Sequence, residues 1–193
     1  AIAELARKIS HEIKNPLTPM LLSTEFLETQ IDDEELKNSI LSIKRQIFLI
    51  QNLVNEFSNF ARLPKANNKK IHLSEILLIY IDEYKRNYPK ITLNQSIQNE
   101  VYVIFDQSYI DILLNNLFKN SIEALTKTSQ PIIEISLIKT DNHILLSFFD
   151  NGPGYEGNIE NLFKPYFSTK NSSGLGLPLI KKIISDNNGS LKI

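Results

Sequence analysis

The sequence predicts an α+β protein in two parts: a helical hairpin that pairs with a second copy as a four-helix bundle, then an α/β-sandwich domain. Three observations carry this. All six glycines lie between Gly152 and Gly189, so the earlier part is free of the commonest chain breaker. From Leu36 the apolar residues Ile40, Ile43, Ile47, Ile50, Val54, Phe57 and Ala61 follow in alternating steps of four and three, the seam of a coiled coil or bundle. Beyond Pro64, short β-rich runs alternate with helical ones.

Each element follows in order. A weaker seam through Ile2, Ala6, Ile9, Ile13, Pro16 and Met20 predicts the first helix. Gln30 to Glu34, with the Asp32-Asp33 pair, joins it to the second as a turn and helix N-terminus rich in carboxylates, which the helix dipole favours. One hairpin cannot bury seams of this length, which predicts a homodimer. Pro64 ends the second helix, residues 65–70 read as a linker, and residues 71–193 form the second domain. There the patterns predict helices over Ser74–Tyr88, Ser108–Thr128 and Leu177–Asn187, and strands over Ile91–Ile97 and Val101–Phe105. Ile132–Lys139 and His143–Phe149 form an antiparallel pair around Thr140-Asp141-Asn142.

Composition narrows the function. A net charge of −1 and a pI near 6.4 provide no field to hold a polyanion, so nucleic acid is excluded as the main partner, and so is membrane contact by this segment itself. Without cysteine there are no disulfides, thiolate zinc sites or cysteine nucleophiles, which fits the cytoplasm. The longest apolar run, Ile76 to Ile81, is far below the roughly 20 residues of a membrane-spanning helix. The chain opens inside a helix at Ala1 rather than at a methionine and reads as a piece of something longer.

His11 is the most informative residue of the hairpin. At about 100° per residue it lies nearly opposite the Ile9–Ile13 seam, so its imidazole is expected to face water. Asn15, Thr18 and Leu22 share that face, and Glu12 is adjacent in sequence. A bundle histidine is ordinarily a solvated surface group or a satisfied core one. Here Pro16 and Pro19 follow within the same helix, each removing a backbone hydrogen bond at about 3 kcal/mol, so a bend just after His11 is expected.

The segment His11-Glu12-Ile13-Lys14-Asn15-Pro16-Leu17-Thr18-Pro19 resembles the phospho-acceptor box of bacterial sensor histidine kinases, most closely sensors of the nitrogen-regulation NtrY type. The second domain carries the family's other boxes in the family's order. Asn116 to Ala124 resembles the asparagine box, Asp150-Asn151-Gly152-Pro153-Gly154 the first glycine box, Phe163 to Lys170 the phenylalanine box, and Gly174-Leu175-Gly176-Leu177 the second glycine box. Any one is weak evidence; five in order are specific.

The resemblance implies a GHKL or Bergerat-type ATP-binding fold and a protein-histidine kinase using ATP and Mg²⁺. His11 becomes the phospho-acceptor, attacking through Nε2, with Glu12 taking or orienting the other ring proton and Asn15 orienting a water for removal of phosphate from a response-regulator receiver domain. Leu22 is a candidate for docking that regulator. Asn120 becomes the Mg²⁺ ligand, and Asp150 accepts from the adenine amino group. Asn116, Gly152, Gly154, Phe163, Phe167, Thr169, Lys170, Gly174, Leu175, Gly176 and Leu177 complete the ATP site, with Asn171-Ser172-Ser173 as a short lid. The chemistry of these residue types agrees: Mg²⁺ takes hard oxygen ligands, and open N–H groups at a helix start favour phosphate. The resemblance further implies the cytoplasmic part of an inner-membrane-anchored sensor, whose nucleotide domain runs about a strand hairpin beyond the second glycine box, with this chain ending one strand in at Ile193. His72 and His143 read as structural or surface residues.

Three other readings share parts of the pattern. A GHKL ATPase would carry a water-activating glutamate one turn before the metal asparagine, where this sequence has Asn116. A scaffold of degenerate kinase type would lack some catalytic residue, and none is missing. A related serine kinase would have no need of the His11 box.

Overall fold

The computed structural model describes residues 2–61, 65–165, 167–168 and 174–193; side chains are not described at 2–7, 56 and 59–61. The chain divides into two compact units, 1–64 with 164–176, and 65–163 with 177–193.

In the first unit, α1 (Ile2–Gln30) and α2 (Glu34–Ala61) form the expected hairpin. Asp33 starts α2: its Oδ1 accepts from the backbone N–H groups of Glu35 at 2.9 Å and Leu36 at 3.0 Å, an N-cap followed by Glu34 and Glu35 in the first turn. α1 is helical through both Pro16 and Pro19. Within one chain, the stripe of α1 that is buried is not the expected seam. Ile9 and Ile13 are each 36% exposed and Met20 54%, while Ser10, Leu17 and Thr24 are buried and Lys14, Leu21 and Glu28 half-buried. The side chains of Ile2 and Ala6 lie outside the described residues. The buried stripe is also spaced in fours and threes, but turned by about 80° around the helix. The apolar seam stays exposed within one chain, while the face toward α2 includes the polar Ser10 and Thr24. On α2, Ile40, Ile47 and Val54 are buried, while Leu36, Ile43 and Ile50 from the same seam are exposed. Lys44 Nζ donates to Glu28 Oε2 at 2.7 Å, tying the helices together, and this bond holds the ammonium above its ordinary pKa.

The second unit contains two sheets. β1 (Lys69–His72) pairs antiparallel with β3 (Tyr102–Phe105), with Lys69 opposite Phe105 and His72 opposite Tyr102. β2 (Thr92–Ile97) runs parallel to β4 (Ile132–Lys139), which pairs antiparallel with β5 (Ile144–Asp150) in the order β2-β4-β5. The expected antiparallel pair is therefore present, with Lys139 opposite Ile144. β1 was not expected. Its Lys69-Lys70 start falls inside the 65–70 linker, whose polar composition hides a four-residue strand.

α3 (Leu73–Asn87) and α4 (Gln107–Ala124) complete the layer opposite the sheet, and a 3-10 turn covers Ile159–Phe163 before α5 (Gly176–Asp186). α4 stops at Ala124, short of the expected Thr128. Leu125 fits the apolar periodicity, but its N–H closes a capping turn onto the Ser121 and Ile122 carbonyls and its side chain is 4% exposed. The core is built from Leu77 and Ile81 of α3, Leu114 and Phe118 of α4, and Ile133, Ile135 and Leu137, alternate residues of β4. Phe118 is fully buried, stacked on Tyr84 at 4.0 Å and edge-on to Phe148 of β5 at 5.1 Å. Among the described residues no helix is long and apolar enough to cross a membrane.

Candidate phosphotransfer and nucleotide sites

On α1, His11, Asn15, Thr18 and Leu22 are all exposed, Leu22 at 61%, on the face that the spacing predicts. Glu12, also exposed, has Oε1 4.0 Å from Lys8 Nζ, a solvated pairing of little energetic weight. Ser10, beside His11, is 3% exposed, and its buried Oγ has no hydrogen-bond partner among the described residues. Because Pro16 and Pro19 lack N–H groups, the carbonyls of Glu12 and Asn15 have no helical donor. Thr18 Oγ1 donates to the Lys14 carbonyl at 3.3 Å.

α4 positions the two asparagines. Its N-cap, Asp106, accepts from the backbone N–H of Ser108 at 2.8 Å. Tyr80 of α3 fixes its middle: the phenol donates to Asp111 Oδ1 at 3.0 Å and accepts from Asn115 Nδ2 at 3.3 Å. Burial, then the Asp111 carboxylate, push the Tyr80 hydroxyl up to about 12. Asn116 Nδ2 donates to the Ile112 carbonyl at 2.7 Å, which turns its amide oxygen away from its own helix. Asn120 Nδ2 is buried and has no hydrogen-bond partner.

Asp150, half-buried, ends β5 opposite Ile133, and its Oδ1 accepts from the Gly152 N–H at 3.1 Å. Gly152 sits against the end of α4: a Cβ there would stand 2.9 Å from Ala124 Cβ and 2.7 Å from Asp150 Oδ1. Gly154 takes φ +70° with nothing within 4 Å of a Cβ, a left-handed turn facing open space. Asn151 clamps the turn, accepting from Ile132 N–H at 2.8 Å and donating to the Gln130 carbonyl at 2.8 Å. Thus α4 and the β5 end bring Asn116, Asn120, Asp150 and Gly152 into one region of the second unit. Phe163, half-buried, has Lys181 Nζ 4.6 Å from its ring centre.

In the segment 164–176, Phe167 N–H donates to the Lys164 carbonyl at 3.2 Å, Gly174 takes φ +67°, Leu175 is 2% exposed, and Gly176 opens α5, with Leu177 half-buried after it. Thr169, Lys170 and the lid residues Asn171, Ser172 and Ser173 lie outside the described residues.

These donors fit a magnesium–nucleotide complex. The unpartnered atom, Asn120 Nδ2, is a donor; leaving it buried costs about 1–3 kcal/mol, and a phosphate oxygen would satisfy it while the amide oxygen is the atom that would face a magnesium ion. A cavity of about 420 Å³ lies elsewhere, among Asn67, Lys70, His72, Glu75 and Asp106, and none of the expected site residues lines it. His72 is half-buried and stacked on Tyr102 at 4.5 Å, with Nδ1 3.1 Å from Glu75 Oε2; His143 is exposed in the β4–β5 turn. Sequence reasoning missed Tyr80, Asp111 and the Gly152–Ala124 approach, all tertiary contacts. It also missed Asp106, although Asp106-Gln107-Ser108 is a readable cap signal.

Two family descriptions match the chain: His Kinase A (phospho-acceptor) domain over residues 1–65, and Histidine kinase-, DNA gyrase B-, and HSP90-like ATPase over residues 105–193. The chain belongs to the histidine kinase family. It carries the two domains of a protein-histidine kinase, as the motifs implied. This histidine kinase is 31% identical to Nitrogen regulation protein NtrY of Azorhizobium caulinodans, over 100% of the chain and 27% of that protein. It is 30% identical to a putative sensor histidine kinase, NtrY-like, of Rickettsia bellii, over 100% of the chain and 33% of that protein. It therefore spans about a third or less of these relatives. Among solved structures, histidine kinase ThkA in complex with response regulator protein TrrA is 27% identical with a TM-score of 0.68, covering 96% of this chain and 55% of that one. ShkA in complex with AMPPNP reaches a TM-score of 0.77 at 18% identity over 96% of this chain and 41% of that one, a likeness of fold.

Proposed function

We propose that the chain binds Mg·ATP in its second domain, phosphorylates His11, and passes the phosphoryl group to an aspartate of a response regulator. The observation that carries this reading is the buried Asn120 Nδ2, a donor without a partner that a phosphate oxygen would satisfy, on the helix that carries Asn116 and whose last residue, Ala124, meets the Gly152 turn. Asn120 would hold Mg²⁺ and Asp150 the adenine amino group, with Gly152, Gly154, Phe163, Phe167, Thr169, Lys170 and Gly174 to Leu177 around the nucleotide. Magnesium, when bound, supplies the positive charge that offsets the phosphate oxygens. The Nε2 lone pair of His11 forms the N–P bond as the bond from the γ-phosphorus to the bridging oxygen breaks and its electron pair leaves with ADP. Glu12 takes the Nδ1 proton, so the phosphohistidine is left without the extra charge.

Residues 1–64 are assigned to dimerisation and phosphotransfer and 71–193 to nucleotide binding. The homodimer is supported by the second apolar stripe: Ile9, Ile13 and Met20 on α1 and Leu36, Ile43 and Ile50 on α2 are all more than a third exposed in one chain. Regulator docking is supported by Leu22 and Phe26, 61% and 64% exposed beyond His11, and by the likeness to ThkA, a histidine kinase solved in complex with its response regulator protein TrrA. Asn15, exposed one turn from His11, suits the orientation of a water for dephosphorylating the regulator. We also assign the segment to the cytoplasmic side of a membrane-anchored sensor. The test is incubation with γ-labelled ATP and Mg²⁺ of wild type, His11→Gln and Asn120→Ala. Acid-labile, base-stable label on wild type alone is expected; label that survives His11→Gln would refute the assignment.

A further inference from the structure

Asp106 holds two parts of the second unit at once. Its Oδ1 caps α4 through the Ser108 N–H at 2.8 Å and the Ser108 hydroxyl, and its Oδ2 accepts from the backbone N–H of Asn67 at 2.6 Å. The Ser108 hydroxyl, then the Asn67 N–H, hold the carboxyl below its ordinary pKa, so it is a carboxylate at neutral pH. Residues 65–68 are exposed throughout, and the β1–β3 ladder begins only at Lys69 opposite Phe105. Their other side-chain bond, Asn68 Nδ2 to Asn187 Oδ1, is longer at 3.4 Å. The charge-assisted Asn67 bond is thus the strongest hold on these residues among the described contacts. Asn116 and Asn120 lie about three and four turns further along the helix that Asp106 caps.

We infer that Asp106 is a positioning residue for phosphotransfer: by tethering Asn67 to the first turn of α4, it keeps residues 67 and 68 from lengthening the connection between the His11 hairpin and the nucleotide helix. The inference rests on the reading that α4 presents ATP to His11. Transfer between two tethered groups depends on their effective concentration, which falls as the free connection lengthens. Nucleotide affinity does not depend on that length. The tether therefore governs the rate of His11 labelling and leaves the dissociation constant for ATP alone.

Two variants isolate the bond from opposite ends. Asp106→Asn keeps an oxygen to cap α4 but places an NH₂ where Asn67 needs an acceptor. Asn67→Pro removes the donor and leaves Asp106 and its cap intact. Both are expected to slow His11 labelling at saturating Mg·ATP about one-and-a-half- to twofold, with the ATP dissociation constant by calorimetry unchanged. An unchanged rate in either variant, or affinity falling in step with rate, overturns the inference. Hydrogen exchange reads the tether without activity: the Asn67 amide is protected in wild type and exchanges faster in Asp106→Asn, and equal exchange in the two overturns it. A wild type that binds ATP but never labels His11 counts against the parent reading, while the exchange arm still decides the tether.

Discussion

Replacing Gly152 with alanine tests whether the β5 turn is built around nucleotide. The added Cβ would stand 2.7 Å from Asp150 Oδ1, 2.9 Å from Ala124 Cβ and 3.2 Å from the Ala124 carbonyl oxygen. Carbon atoms rest at about 3.5–4.0 Å, so the methyl group intrudes by more than half an ångström on the last residue of α4. Ala124 has no rotamer with which to yield, and the backbone or the Asp150 carboxylate must shift. Overpacking of this kind costs about 1–3 kcal/mol of stability. A displaced Asp150 would also lose the bond proposed for it with the adenine amino group, and a hydrogen bond to a charged group contributes about 1.5–3 kcal/mol. Together these predict that Gly152→Ala lowers the melting temperature and raises the dissociation constant for ATP about ten- to a hundredfold, measured by calorimetry. Adding Ala124→Gly removes one of the three close contacts. It is expected to recover part of the stability non-additively and little of the affinity, because the Asp150 contact persists. ATP binding by Gly152→Ala within twofold of wild type would refute the account.

Three further outcomes follow from the packing. Phe118→Ala deletes a fully buried ring held between Tyr84 and Phe148 and is expected to cost about 3–5 kcal/mol, read by denaturant unfolding. Tyr80 has a raised pKa, so its neutral form is favoured in the folded state; the stability it contributes is complete below about pH 10 and is lost as pH rises through about 12. The alkaline fall in unfolding midpoint should be smaller in Tyr80→Phe, and an identical pH profile would remove Tyr80 from the account. Ile43→Glu with Ile50→Glu places charge on side chains that are 51% and 41% exposed within one chain, so the protein should become monomeric by light scattering while retaining its helix content. A dimeric mass would show that another face covers the hairpin.

Long elements and punctuated motifs were legible in the sequence; short strands and choices between equivalent faces were not. The β4–β5 hairpin was readable because apolar alternation on both sides of Thr140–Asn142 sets the register by itself. The exposure of His11 was readable too, since helical phase needs only spacing. The α1 face toward α2 was not legible because Ser10, Thr24 and Glu28 are polar, and only the partner helix, through the Lys44 bond to Glu28, marks that face. β1 escaped because Lys69-Lys70-Ile71-His72 becomes a strand only through β3. In the nucleotide region the residue types were legible from their boxes. The supports of α4, Tyr80 to Asp111 and Phe118 against Tyr84, join positions distant in sequence and leave no local signal.

The parallel pairing of β2 with β4 bears on the order in which the molecule assembles. The hairpin of α1 and α2, and the β4–β5 pair, close between neighbours in sequence, which favours early formation. β2 can meet β4, Thr92 opposite Ile132, only after the chain between them, with β3 and all of α4, has been looped out and folded back. Asn116 and Asn120 ride on that enclosed loop. A nascent or partly unfolded chain can therefore hold a finished His11 helix while its asparagines still lack a frame, so competence to bind nucleotide marks the completion of folding in the second unit.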